Sequence, residues 1–398
     1  MYTTILLNVD ELWLKGKNRK HYFDTMKDHV NEVVKAYHDD KYELRNEQQR
    51  FAIHSETPFS QKLQERLQDL PGLNSVQPVR KAPLDLNKAC ELVVEDLRKQ
   101  THAKTFKVQA KRIDKRFPTS SMEVNRFFGG GILKNTHLKV DVHNPDILLE
   151  IKIMNDEIYL SWEKFRATGG LPVSTSGHVV TLISGGFDSP VASYMMAKRG
   201  CRQSFIFFYS YPYVGEEVKE KIIKMCSILS KYQKGCKLYI APFGDIQNYI
   251  SKHCREEYRT LLFRKYMMDV SNFLANRVKA KALLMGDSLG QVSSQTLHNM
   301  SALDHSCKKL VLRPLLGHNK IEIINLAEKI GTHDTSIIPH DDACSLFAPK
   351  HPVTRPDLEY WYKFVEEHQC RDLILNCIKS SEIVRFDIKG QIISPEMM

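Results

Sequence analysis

Thr181-Leu182-Ile183-Ser184-Gly185-Gly186-Phe187-Asp188-Ser189-Pro190-Val191-Ala192 stands near the middle of this 398-residue chain and reads as strand, turn and helix. Before it, the apolar run Val179 to Ile183 reads as a buried parallel strand over 178–183. After it, Val191 to Ala197 reads as a helix, with Ser189 expected as its N-cap. Pro190 is expected at the first helical position, where a missing N–H costs nothing. The turn between strand and helix aims unpaired N–H groups and the positive end of a helix dipole at one point, which is an anion site. Gly185 and Gly186 let the backbone approach that anion closely. No Lys follows the glycines, so this is not a Walker loop. An ordinary glycine turn is the plain alternative.

Outward from this turn the chain alternates strand and helix. Strand candidates are 178–183, 204–209, 236–241 and 281–286, with helices over 215–231 and 257–276. Strands separated by helices imply βαβ units and a parallel α/β sheet. Such sheets bind ligands beyond the carboxyl ends of their strands, where Ser184 stands. The first 165 residues read differently. Short alternating strands such as 50–54 and 106–110 interleave with amphipathic helices such as 87–100, an α+β pattern. The breaker-rich stretch 168–178 is the expected linker.

Composition narrows the class. A formal charge of +10 suggests a polyanionic partner, nucleic acid first, although a solvated basic surface gives the same number. No apolar run approaches bilayer length, so no membrane span is expected. The N-terminus meets Asp10 and Glu11 at once, which does not fit a secretory signal. Nine cysteines, none in a C-x-x-C pair, fit free thiols in a reducing cytoplasm and argue against zinc-ribbon or cluster ligation. No metal site built from protein ligands is expected.

Basic residues gather in the first half. Lys107 and Lys111 fall on one strand face, with Arg112, Lys115 and Arg116 following and Phe117 available to stack. Phosphate contacts of this kind give salt-sensitive binding, and structured RNA is read largely by shape and backbone. A charged solvent face is the equal alternative.

Two further clusters carry chemistry. Gly286 to Thr296 (GDSLGQVSSQT) is a second strand-end loop rich in amide and hydroxyl groups, suited to a nucleotide or to a buried polar turn. Arg313 faces phosphate or caps a helix. Cys344 lies in a Pro-rich stretch with His340, Lys350, His351 and Arg355 nearby, which favours thiolate, while Asp341 and Asp342 oppose it.

Ser184 to Ser189 resembles the SGGxDS signature of the pyrophosphatase-loop (PP-loop) ATPases, which split ATP to AMP. Leu14-Lys15-Gly16-Lys17-Asn18-Arg19, Phe106 to Phe117, Val140-Asp141-Val142, Asn144-Pro145-Asp146 and Gly169-Gly170-Leu171-Pro172-Val173 are similar to the tRNA 4-thiouridine synthetase family, over essentially the whole chain. The resemblance implies a ferredoxin-like domain over 1–58, a THUMP RNA-binding domain over 59–166, a linker over 167–177 and a PP-loop domain over 178–398. It implies adenylation of uridine 8 of tRNA by ATP, followed by replacement of O4 with persulfide sulfur.

The nucleotide contacts carried over are Leu182, Ile183, Ser184, Gly185, Gly186, Ser189, Phe207, Phe208, Arg264, Gly286 and Gln295. Asp188 is expected to act with Mg²⁺ on the phosphates, and Cys344 in sulfur delivery. A cysteine desulfurase is the expected donor, and a homodimer is allowed for. No rhodanese segment follows, so the chain reads as the short form. Whether Cys344 carries the persulfide or acts as reductant or resolving thiol, with Cys307, Cys254 or another thiol as partner, stays open. Two departures stand out: Asp287 replaces the family's usual Glu, and Ser174 replaces a usual Gly, with little consequence expected because Gly177 is near. Another PP-loop tRNA-thiolating enzyme and a non-catalytic THUMP-type RNA-binding protein are the alternatives.

Overall fold

The structure is a computed structural model that describes residues 2–47, 50–154, 156–339, 347 and 349–397. The chain divides into two units, Met1–Gly169 and Gly170–Met398. Among the described residues no helix is long and apolar enough to cross a membrane.

The first unit runs β1 (Thr4–Val9), α1 (Arg19–Tyr37), β2 (Tyr42–Glu47), β3 (Arg50–Ser55), α2 (Gln61–Gln68) and β4 (Leu73–Pro83). It continues with α3 (Leu86–Leu97), β5 (Thr105–Arg112), α4 (Ser121–Asn135), β6 (Lys139–Val140), β7 (Ile147–Ile153), β8 (Glu157–Ser161) and β9 (Phe165–Arg166). The strands form one sheet in the order β2-β3-β1-β4-β8-β7-β5-β6, with β9 on β4. The helices bury one stripe each: Phe23, Met26, Val30, Val33 and Val34 on α1, and Val124, Phe128 and Ile132 on α4. These spacings keep the apolar side chains on one helical face. Ser120 and Glu123 close a reciprocal capping box at the start of α4. No break falls at 58/59. β4 is continuous and pairs with β1 through Val79 and with β8 from Arg80, so the two halves of this unit share a strand.

The second unit runs β10 (His178–Leu182), α5 (Asp188–Lys198), β11 (Arg202–Tyr209), α6 (Glu216–Ser230), β12 (Cys236–Pro242), α7 (Gly244–His253), α8 (Arg259–Arg277) and β13 (Ala282–Leu284). Then come α9 (Leu297–His305), β14 (Leu310–Leu312), α10 (Lys320–Lys329), α11 (His333–Ser336), α12 (Leu358–Glu367), α13 (Arg371–Lys379), β15 (Glu382–Phe386) and β16 (Ile392–Met397). The sheet order is β14-β13-β10-β11-β12-β15-β16, parallel from β14 to β12 and antiparallel at the β15-β16 edge. Its central strands are buried on both faces. Val179, Phe205 and Leu238 join one core, and Val180, Ile206 and Tyr239 join the other. That is why they read as continuous apolar runs.

The chain reverses direction across the sheet between β10 and β13. After β12 it returns to the other side of β10, so the loops leaving β10 and β13 diverge there. Ligands of open α/β sheets bind at such a point.

Candidate functional site

The glycine turn departs from its expected capping. α5 starts at Asp188 with Phe187 as N-cap, so Ser189 is not the cap and Pro190 is not the first helical residue. Pro190 still falls in the first turn, where N–H groups have no intrahelical partner. Ser189 is used differently. Its Oγ accepts from the Ser184 N–H at 2.8 Å, lies 3.1 Å from Ser184 Oγ and donates to the Ser184 carbonyl at 3.3 Å. The two serines thus staple the turn shut. The N–H groups of Gly185, Gly186, Phe187 and Asp188 make no hydrogen bond among the described residues. A Cβ on Gly186 would meet nothing within 4 Å. The space above that residue is therefore open to a ligand, and the unused donors suit an anion.

Asp188 stands at the mouth of this turn. Its Oδ1 accepts from Lys320 Nζ at 2.9 Å and its Oδ2 from Gln291 Nε2 at 2.9 Å. Lys320 Nζ also lies 5.3 Å from the centre of the Phe187 ring. Lys320 opens α10, where a cation runs against the helix dipole. That odd placement was the available signal for a role beyond the helix. Gln291 lay within the quoted loop, but nothing local pointed it at Asp188.

The second strand-end loop is organised by one buried carboxylate. Asp287 is 4% exposed. Its Oδ1 accepts from Arg264 at 2.5 Å and Gln295 Nε2 at 3.4 Å, and its Oδ2 from Arg313 Nε at 2.8 Å. Arg264 also donates to Ser294 O at 2.9 Å, and Arg313 to both oxygens of Asp304 at 2.6 and 2.8 Å. Arg313 thus neither faces phosphate nor caps a helix. Burial opposes its charge, but the carboxylates of Asp304 and Asp287 outweigh it and hold the guanidinium above its ordinary range. Arg264 and Lys265 are neighbours on α8. Both are buried, and Lys265 is bound by Asp269.

Between the two loops lies a cavity of about 450 Å³. Leu182, Ile183, Ser184, Asp188, Ser189, Phe207, Phe208, Arg264, Gly286 and Gln295 all line it. Thr260, Met267, Met285, Asp287 and Pro352, absent from the expected set, line it too. Gly185 and Gly186 lie in the turn beside it. Phe207 and Phe208 send their rings into opposite cores, so they offer the cavity mainly their edges and backbone. An adenine nucleotide fits this arrangement: an apolar floor, amide and guanidinium donors on one wall and free N–H groups on the other. Among the described residues no group of three or more His, Cys, Asp or Glu is placed to hold a metal. A Mg²⁺ ion carried by phosphate oxygens would find the Asp188 carboxylate at the mouth of the turn.

Cys344 lies outside the described residues. Cys254 and Cys307 are half-buried, and burial pushes the Cys254 thiol up to about 11.

In the first unit, the expected RNA-facing residues divide. Lys111 and Lys115 are exposed. Lys107 Nζ donates to Val142 O at 2.9 Å, and Arg112 to Phe117 O at 2.8 Å. Arg116 pairs with Asp114 at 3.0 Å. Phe117 packs partly against the core, so its ring is less available than expected.

Three family profiles match the chain: the thiamine biosynthesis protein (ThiI) over residues 174–369, the THUMP domain over 85–163 and the ThiI ferredoxin-like domain over 4–76. A Caldanaerobacter subterraneus subsp. tengcongensis protein named "Probable tRNA sulfurtransferase" is 39% identical, covering 90% of this chain and 93% of its own. A Moorella thermoacetica protein of the same name is 36% identical over 99% of this chain and 100% of its own. A solved structure described as a 4-thiouridine synthetase–RNA complex with bound ATP superposes with a TM-score of 0.88. It is 29% identical and covers 97% of this chain and 100% of its own.

Proposed function

We infer the function from one premise, that this chain belongs to the ThiI family of tRNA sulfurtransferases. It is an ATP-dependent enzyme that thiolates tRNA, producing 4-thiouridine. The observation that carries this reading is the cavity at the strand reversal, where an open glycine turn with four unused N–H groups faces the Arg264–Asp287–Gln295 wall.

ATP lies in that cavity with its β and γ phosphates on the N–H groups of Gly185 to Asp188. O4 of uridine 8 attacks the α phosphorus, forming an O4–P bond and breaking the bond to the β phosphate oxygen. The turn meets the charge that develops on the departing pyrophosphate, which lowers the barrier to leaving. Lys320 adds positive charge at the same mouth. Mg²⁺, held by the phosphates and Asp188, would neutralise further charge there. Persulfide sulfur then attacks C4, and AMP leaves with O4. A thiol breaks the sulfur–sulfur bond, so the new C4–S group stays on the base and a disulfide forms. Cys344 supplies either the persulfide or that thiol.

A cytoplasmic cysteine desulfurase is the donor on this reading. The basic first unit docks the tRNA through its phosphates, with Lys111 and Lys115 the most available cations. The test is nucleoside mass spectrometry of tRNA treated with the protein, ATP and a persulfide donor. 4-Thiouridine at position 8 supports the reading; a thiolated base elsewhere or none refutes it.

A further inference from the structure

Lys221 sits where lysines are rare. It lies on α6, is 4% exposed and donates from Nζ to the carbonyls of Ser336 at 3.0 Å and Ile338 at 2.7 Å. A buried cation is costly unless partnered, and burial pulls this one below the ordinary lysine range. Two of its partners are the carbonyls at and just beyond the end of α11, where helix carbonyls lack intrahelical donors.

The chain of contacts continues towards the site. Ser336 is itself 6% exposed, and its Oγ donates to the Gly186 carbonyl at 3.3 Å. His333, at the other end of α11, places its ring 5.6 Å from that of Phe187. The short helix therefore contacts both residues of the Gly186–Phe187 peptide, the first through its carbonyl and the second through its ring. A trans peptide is planar, with C=O and N–H on opposite sides. Fixing the Gly186 carbonyl fixes the direction of the Phe187 N–H, one of the four unused donors of the turn.

We propose that Ser336 and Lys221 are positioning residues for adenyl transfer. Lys221 anchors the end of α11, and Ser336 orients the Gly186–Phe187 peptide so that its N–H meets the departing pyrophosphate. This rests on the function proposed above. Nothing in the glycine turn's own sequence identifies either residue, because both come from distant segments.

The test separates binding from turnover. Ser336→Ala is compared with wild type and Ser336→Thr, which keeps the hydroxyl, using calorimetric binding of inorganic pyrophosphate and of AMP. We expect Ser336→Ala to weaken pyrophosphate about tenfold, to leave AMP within about threefold and to be rescued by Ser336→Thr. In tRNA-dependent pyrophosphate release, kcat falls by a similar factor while KM for ATP moves less. Lys221→Met shifts pyrophosphate binding in the same direction. Unchanged pyrophosphate binding in Ser336→Ala, or a Thr variant as weak as Ala, overturns the proposal. The binding experiment needs no turnover, so a wild type that bound pyrophosphate but thiolated nothing would refute the function and leave this assignment standing.

Discussion

Gly286 lies flush against Ser189: a Cβ on Gly286 would come 2.5 Å from the Ser189 backbone nitrogen and 2.7 Å from the Asp188 carbonyl carbon. The loop leaving β13 therefore buttresses the turn leaving β10, backbone against backbone. Gly186, on the same turn, has open space where its Cβ would be. The two glycines should fail differently. Gly286→Ala forces rigid backbone apart and should cost about 1–3 kcal/mol of stability, as overpacking does. Gly186→Ala should fold normally yet weaken ATP at least about tenfold, because its methyl would occupy the anion's place. Urea unfolding and ATP titration of both variants check the contrast.

Asp287 neutralises two buried guanidinium groups at once. Removing it as Asp287→Ala leaves Arg264 and Arg313 facing each other and should destabilise the second unit by about 3–5 kcal/mol. Asp287→Glu, which restores the carboxylate the resemblance led us to expect, should cost less, about 1–3 kcal/mol, from the added methylene. If Ala proves no worse than Glu, the carboxylate is not the organiser of this loop.

RNA docking should distinguish free from paired cations. Lys111→Gln with Lys115→Gln should lower the salt slope of tRNA binding by about 2, one per lost phosphate contact. Arg116→Gln should change it less, since that guanidinium is engaged by Asp114. Filter binding across a salt series measures both.

His178 supplies a pH dependence of stability. Burial, helped by the nearby Arg202 charge, holds its pKa below the ordinary histidine value. Between that lowered value and about 6.5 the unfolded chain binds a proton that the folded chain does not. The contribution is therefore present above the unfolded pKa and is lost as pH falls through the folded one. The urea midpoint should drop from pH 7 to pH 5, and His178→Gln should drop less over the same range.

Much of the second unit was legible because parallel strands buried on both faces are written as apolar runs, and 178–183 or 236–241 lie close to the strands observed. β13 is shorter than 281–286 because the chain turns at Met285 and Gly286 to meet Ser189. The capping of α5 is not legible locally, because Ser189 has the chemistry of a helix cap while its hydroxyl closes a loop five residues back. Ser174 was expected to matter little. It adopts φ 75°, a left-handed conformation that favours glycine and that Gly177 does not relieve. The partners of Asp188 and of Gly186 were hidden for a simpler reason. Lys320 is 132 positions from Asp188 and Ser336 is 150 from Gly186, and pairing at that range is a property of topology, not of local pattern.

On the proposed mechanism, the turn at Gly185 and Gly186 grips pyrophosphate so that a nucleobase oxygen can depart with AMP. The direct measurement is the nucleotide products formed with unmodified tRNA, ATP and a persulfide donor. AMP and pyrophosphate released in step with each 4-thiouridine formed is the result predicted. ADP and inorganic phosphate, or thiolation without any ATP cleavage, would contradict it.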